Sequence, residues 1–357
     1  MKYYTKEIWS EEGYQRTAGI KARDDVDKIL EKNGYVSIEI CMPSADRVGQ
    51  SILEKAGYHL KLSKVWNECL KPVGKDDILV IQFPIVNHSV LLASCVNSVR
   101  RRGAKIILLI HDLEILRAAI RGTTSAKEKI RLRLEEETLL RNCDGIIVHN
   151  SSMKKKLASM GIPSSRMKVL GIFDYLIPEA GYAKTSFDGP VVIAGALRPH
   201  KAGYAYHLPE EIRFNLYGVG YEAQPQDNVN YLGSFEPDQL PEVMEGSFGL
   251  VWDGETTQTC SGIYGEYLRI NDPHKASLYL ASGMPVIIWS QAALAGYITR
   301  NGCGITVDSI EEIPDRIKAM SPGEYDLIRR NTKKISERLR EGKYTSRALK
   351  KALGEEG

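Results

Sequence analysis

The chain has 357 residues, of which 43% are hydrophobic, 26% charged and 8% aromatic. Such fractions exclude a chain dominated by disorder, collagen-like repeats or a disulfide framework, and the length suits two domains better than one core. The net charge of +3 conceals an asymmetry: residues 1–185 hold 30 Lys and Arg against 22 Asp and Glu, a balance of +8, and the remainder holds 18 against 23, a balance of −5. A basic first half points to an anionic partner or surface, or else to ordinary solvated helix faces.

The best apolar run, 106–110 (IILLI), is far shorter than the roughly 20 residues a bilayer span needs. The opening MKYYTKEIWSEEGYQR lacks the apolar centre of a secretory signal, so the expected compartment is the cytoplasm. Six cysteines, at 41, 69, 95, 143, 260 and 303, show no CxxC spacing and are expected as buried small apolar residues, not zinc ligands or disulfides.

In chain order, a helix is predicted over 23–33 and stops at Gly34. Strands follow at 35–43 (YVSIEICMP) and 78–84 (ILVIQFP), then a helix over 88–102 ended by Gly103. The strand 105–112 (KIILLIHD), a charged amphipathic helix over 125–142, the strand 145–150 (GIIVHN) and a helix over 151–160 complete the first half. Residues 171–189 break the rhythm with Gly, Pro and polar residues and read as a link. Strands then recur at 190–194, 214–217, 228–233, 248–253, 285–289 and 304–307, with helices at 237–246, 274–282 and 292–301 and a charged helical tail over 321–353. Continuous Val, Ile and Leu runs separated by helices indicate parallel strands covered on both faces. The expected fold is therefore α/β, with two Rossmann-like domains facing across a cleft: residues 1–175, residues 176–320, and a tail 321–357 packing back toward the first.

In such sheets ligands bind beyond the carboxyl ends of the strands. No GxGxxG or GxxxxGK[ST] follows a strand, which argues against a dehydrogenase or a P-loop enzyme. The loop 195–201 (GALRPHK) offers a glycine and the cations Arg198 and Lys201. The densest segment is 248–288 (FGLVWDGETTQTCSGIYGEYLRINDPHKASLYLASGMPVII). In it Pro273-His274-Lys275 opens a helix, whose free N–H groups favour an anion. A lysine there runs against the helix dipole, so Lys275 is expected to face a bound anion.

The order of strand, WDG loop, NDPHK and SLYLASGMPVI resembles the nucleotide-sugar half of GT-B glycosyltransferases, and more specifically bacterial β-1,6-galactofuranosyltransferases of O-antigen and capsule synthesis. AGIKARDD (18–25), LIHDLEILR (109–117), VHNSSMKKKL (148–157), IFDYL (172–176), LYGVGYE (216–222), YLGSF (231–235) and QAALAGYI (291–298) carry the rest of the resemblance along nearly the whole chain. Glucosyltransferases that extend GlcNAc on serine-rich adhesins resemble it more loosely. In the family the loop after the first strand of the second domain reads closer to GNLxRxK; here Arg198 stands one place early and Ala196 replaces Asn.

The resemblance implies a UDP-sugar donor held mostly by the second domain. Lys275 with Arg198 or Lys201 would meet the diphosphate, Tyr217 and Gly218 the uracil or ribose, and Asp253, Ser261, Gly262 and Asn271 would shape the donor pocket. No DxD is seen where a metal would be held, so neither metal nor cofactor is expected. A β-linked product from an α-linked donor requires inversion, hence one general base. Asp112 is the first candidate and His111 the second, with Glu114 and Asp24 in reserve; Asp112 as a simple helix cap is the competing account. Thr17, Gly19 and Lys21 are expected to line the acceptor entrance. The acceptor is a saccharide, lipid-linked in this family. Reversible contact of Arg100–Arg102, Arg117, Arg121, the 127–133 helix and Lys154–Lys156 with an anionic membrane is left open, as is self-association. Two rivals remain: a UDP-glucose-dependent enzyme acting on glycosylated protein, and a non-catalytic nucleotide-sugar-binding subunit. The basic triplets at 100–102 and 154–156 lack the interleaved aromatics of a nucleic-acid binder.

Overall fold

The computed structural model describes residues 1–8, 18–41, 51–86, 89–177, 181–223 and 226–355. Its first half contains strands β1 (Lys2–Ile8), β2 (Val36–Cys41), β3 (Ile78–Phe83), β4 (Lys105–Ile110), β5 (Gly145–Val148) and β6 (Met167–Val169). Helices α1 (Ala18–Lys32), α2 (Ile52–Cys69), α3 (Leu92–Arg101), α4 (Glu114–Arg121), α5 (Ala126–Leu132), α6 (Thr138–Asn142) and α7 (Ser151–Ser159) cover it. The six strands pair only in parallel, in the order β2-β1-β3-β4-β5-β6. Side chains alternate between two apolar layers. Leu79, Ile81, Ile106 and Leu108 meet Leu62 and Trp66 of α2 and Val96 and Val99 of α3 on one face. Val80, Ile107 and Leu109 meet Val26 and Leu30 of α1 on the other. Burial on both faces is why β3 and β4 read as unbroken apolar runs.

The second half begins with a two-residue strand β7 (Lys184–Thr185) and continues through β8 (Val191–Ala196), β9 (Phe214–Val219), β10 (Val229–Tyr231), β11 (Glu245–Gly246), β12 (Gly249–Val251), β13 (Val286–Trp289) and β14 (Gly304–Val307). Its helices are α8 (Pro199–Ala202), α9 (Leu240–Val243), α10 (Gly262–Tyr267), α11 (His274–Ala281), α12 (Ala295–Asn301), α13 (Ile313–Lys318), α14 (Pro322–Arg340) and α15 (Lys343–Leu353). The main sheet runs β10-β9-β8-β12-β13-β14, and β7 pairs with β11 apart from it. Counted from β8, this is the doubly wound order 3-2-1-4-5-6, with its reversal between β8 and β12.

The final helices divide between the two sheets. Ile335 and Leu339 of α14 join the core of the second half, and Ser336 Oγ donates to the Ala281 carbonyl at 2.6 Å. Ala348 and Leu349 of α15 pack with Tyr4, Val26 and Leu30 of the first half. The buried Asp174 carboxylate fixes the start of α15 by accepting from the Tyr344 N–H at 3.1 Å and the Thr345 N–H at 2.6 Å. Asp174→Ala is expected to cost about 1–2 kcal/mol, the upper range for a lost N-cap. Urea unfolding would show it, together with faster proteolysis after residue 340.

Several elements are absent from the sequence-based expectation: strand β1, helix α2, the strands β6 and β7 and the short helices α4, α8, α10 and α13. Strand β1 (KYYTKEI) does not read as a strand because three of its seven residues are charged, yet it lies between β2 and β3 with Tyr4 fully buried. Helix α2 is announced only by Ser51 and Glu54, whose reciprocal side chain–backbone bonds form a capping box. Elsewhere, the helix expected over 125–142 is interrupted by a π-turn at Arg133–Glu137. The one expected over 237–246 shrinks to α9 because Glu245 and Gly246 pair with β7. Of the six cysteines, 95, 143, 260 and 303 are buried, whereas Cys41 is exposed and Cys69 half-buried; all are free.

Candidate active site

The reversal between β8 and β12 places two loops side by side. Gly254 donates its N–H to the Lys201 carbonyl at 2.8 Å, joining the loop after β8 to the Trp252-Asp253-Gly254 turn. Gly254 has φ +123°, and a Cβ there would lie 2.6 Å from the backbone N and O of Ser261, so only glycine fits. Lys275, in the first turn of α11, donates from Nζ to the Trp252 carbonyl and to Asp253 Oδ1, both at 2.8 Å. The counter-charge that a lysine at a helix start demands is thus within the chain itself. Burial pulls the Lys275 pKa down, but Asp253, together with Tyr279 and Cys260, turns the net direction up.

Lys201 differs. Among the described residues its ammonium has no hydrogen bond and no ion pair; it stands 5.6 Å over the Tyr264 ring, which also faces Arg117 at 5.8 Å. Burial, with Lys275 and Arg117 nearby, holds its pKa below the ordinary lysine value despite Asp253 and Asp112. The structure separates Lys201 from Arg198: the Arg198 side chain is exposed and lies along Gly220.

Tyr217 does not offer a ring to a base or ribose. Its side chain is buried in the core, where the hydroxyl donates to the Val243 carbonyl at 3.2 Å and accepts from the Glu245 N–H at 3.1 Å. Gly218, at φ +153°, is pressed against the Gly195 carbonyl and leaves no room for a Cβ. Ser261 Oγ accepts from the Glu255 N–H at 3.2 Å, bracing the loop, and Gly262 is exposed beside open space. Asn271 Oδ1, Asp272 Oδ2 and both ring nitrogens of His274 are buried with no partner among the described residues. Buried polar atoms left in this way mark a place for water or a ligand.

On the facing side, His111 and Asp112 follow β4. His111 Nε2 lies 2.6 Å from Gln82 Oε1, and its ring stacks on Phe173 with centroids 5.4 Å apart. Asp112 holds Arg117 at 2.5 Å and accepts from the Leu113 N–H at 2.8 Å. Asp112 is not the cap of α4. The Glu136 carboxylate fills that role from the π-turn, accepting from the Glu114 and Ile115 N–H groups at 3.1 and 2.9 Å. Glu114 pairs with Arg121 at 2.6 Å, and Asp24 is exposed on α1.

Thr17 lies outside the described residues, and Gly19 is exposed in the first turn of α1. Lys21 is no entrance residue: only 5% exposed, it bonds Asp25 and, across the cleft, Asp238, each at 2.7 Å. It thereby ties α1 to the second half. The second tie was not foreseen. His149 accepts the Asp272 N–H at Nδ1 (3.0 Å) while Nε2 donates to the Ile110 carbonyl (3.1 Å). Asn150 donates to the Ile270 carbonyl and Asp272 Oδ1 at 2.9 and 2.7 Å. A polar His-Asn pair closing the apolar run GIIV was the available signal.

Many cations considered for a membrane surface are engaged internally: Arg100 with Asp144, Arg117 with Asp112, Arg121 with Glu114 and Glu128, Arg131 with Glu135. Arg102 donates to the Leu70 and Val73 carbonyls and Lys154 to the Met167 carbonyl. Among the described residues no helix is long and apolar enough to cross a membrane, and no cluster of three His, Cys, Asp or Glu is placed to hold a metal ion.

The buried ionisable groups make stability depend on pH. Burial raises Asp27, Glu136, Asp174 and Asp272 to about 7 and Asp25 to about 6, so the folded state keeps protons that the unfolded chain has lost. Stability from these groups falls as pH rises between about 4 and 7. Burial also lowers His111, His149 (to about 4) and His274 (to about 3), which acts in the opposite direction below the ordinary histidine value. Above about pH 6.5 the histidines are neutral in both states and only the acids near 7 still titrate, so the thermal midpoint is expected to decline from about pH 6.5 to pH 8, and calorimetry across that range checks it.

Two doubly wound sheets, joined by the final helices and carrying a partly buried cation cluster at the switch point, have the architecture of GT-B glycosyltransferases. Solved structures agree in fold. Sucrose-phosphate synthase from Thermosynechococcus elongatus superposes with TM-score 0.62 at 12% identity over 99% of this chain and 98% of its own. Anabaena HepE in complex with UDP gives 0.58 at 13% identity over 99% and 100%. The family models "Glucosyltransferase 3-like, N-terminal domain" and "C-terminal domain" match residues 2–172 and 191–352. The β-1,6-galactofuranosyltransferase WbbI of Escherichia coli K12 is 35% identical over 344 residues, 95% of each chain. The chain belongs to this Glucosyltransferase 3-like family of glycosyltransferases.

Proposed function

We propose that the chain moves a hexosyl unit, galactofuranose, from a UDP-sugar to a saccharide acceptor in surface-polysaccharide synthesis, with inversion at the anomeric carbon. The identity to WbbI supports the choice of sugar and linkage. The single observation that carries the donor side is Lys201, a cation inside the cleft with no hydrogen bond or ion pair among the described residues, beside Lys275 and Arg117. A diphosphate supplies the missing partner.

In this proposal residues 176–320 hold the donor, residues 1–175 present the acceptor, and the tail 321–357 links them. Lys201 and the first turn of α11, whose N-cap residue Pro273 makes no side-chain cap bond, receive the diphosphate as it leaves. Asn271 and His274 contribute unpartnered polar atoms for sugar hydroxyls. The His111-Asp112 pair after β4 supplies the base. A lipid-linked acceptor would approach the first half, where Lys127, Lys129 and Arg133 remain exposed.

Lys201→Met is expected to weaken UDP binding by about 1.5–3 kcal/mol, the range for hydrogen bonds to charged groups, while leaving the thermal midpoint unchanged or higher. Calorimetric titration with UDP measures the first and a melt the second. Mass-spectrometric screening with UDP-galactofuranose, UDP-galactose and UDP-glucose tests the sugar. Transfer from UDP-glucose alone replaces galactofuranose by glucose, and transfer from none points to a non-catalytic binding subunit.

A further inference from the structure

We propose that Gln82 is a positioning residue that fixes the tautomer of His111, and that His111 Nδ1 takes the proton of the attacking acceptor hydroxyl. The proposal rests on the transferase reading above. Gln82, 4% exposed on β3, has its amide held at both ends. Its Nε2 donates to Asp27 Oδ1 at 2.5 Å and to the Arg23 carbonyl at 3.2 Å, both on α1. The Arg23 carbonyl can only accept, so the NH₂ group must point at it and Oε1 must face His111. At 2.6 Å from Oε1, His111 Nε2 carries the hydrogen and donates it. The neutral ring then keeps its lone pair on Nδ1. Phe173, stacked on the imidazole, limits its rotation.

Asp112 is less suited to the task, since one oxygen holds Arg117 and the other the Leu113 N–H. This reverses the order in which the sequence ranks the two. The charged and titratable groups around His111 are Arg23 and Asp27 from α1, Asp112 beside it, His149 after β5 and His274 on α11. Burial first, then Arg23, His274 and His149, disfavour the imidazolium, so the ring is neutral at physiological pH and ready to accept. In the step, the acceptor oxygen bonds to the anomeric carbon as its proton passes to Nδ1. The bond from that carbon to the diphosphate oxygen breaks, and UDP leaves with the electron pair. The proton on Nδ1 is returned to solvent after the product departs.

Gln82→Glu puts a carboxylate on the Nε2–H and favours the imidazolium. The acid limb of the kcat–pH profile is expected to move up by at least one pH unit, with the affinity for UDP unchanged. Gln82→Leu frees the ring and lowers kcat more than tenfold at constant KM. An unmoved acid limb in an active Gln82→Glu enzyme overturns the proposal. A wild-type enzyme that transfers from no UDP-sugar overturns the transferase reading instead. Long-range ¹⁵N–¹H correlation of the wild-type histidines gives a readout independent of variant folding. The Nε2–H tautomer at His111 supports the proposal, and the Nδ1–H tautomer overturns it.

Discussion

Asp253→Ala is expected to destabilise the fold by about 3–5 kcal/mol, the cost of stranding a buried charge whose partner is removed. Lys275 and Asp253 are 15% and 11% exposed at their side chains and bond at 2.8 Å, so the variant leaves the ammonium with only the Trp252 carbonyl. Equilibrium unfolding in urea measures the loss. The same variant separates two roles for Lys275. If its charge reaches the donor diphosphate, saturating UDP will raise the melting temperature of Asp253→Ala more than that of the wild type, because the ligand replaces the missing anion. Equal shifts would confine Lys275 to holding the WDG turn.

His111→Ala is expected to lower turnover by about 10²–10⁴-fold, the range for a lost general base, with UDP affinity intact. The ring touches Gln82 and Phe173 of the first half, whereas Lys201 and Lys275 belong to helices α8 and α11 of the second. Asp112→Asn should lose less, since the amide can still accept from the Leu113 N–H while Arg117 keeps its stacking on Tyr267 at 5.0 Å. Single-turnover measurements at saturating donor compare the two directly. A deeper loss in Asp112→Asn would return the base to that carboxylate.

The fold was legible in the sequence because it rests on local signals. Apolar runs of strand length such as ILVIQF and KIILLI can be buried on both faces only in a covered parallel sheet, and the glycines between them stop helices where the pattern stops. The loops bearing Lys201, Asp253 and Lys275 were visible because a strand end and a helix start are recognisable in order along the chain. What the chain alone could not decide is how charges find one another through space. Lys275 pairs with Asp253, 22 positions away, while Lys201 has no ion pair among the described residues; Lys21 is drawn inward by Asp25 and Asp238. Tyr217, read beside a nucleotide, turns into the core because its hydroxyl finds backbone partners at Val243 and Glu245. Asp27, Gln82 and His111 come from three elements and meet only when α1 packs over β3 and β4. Residue type and local spacing determine which elements form. Ion pairing and hydrogen bonding fall off within a few ångströms, so partners distant in sequence are chosen by the tertiary fold.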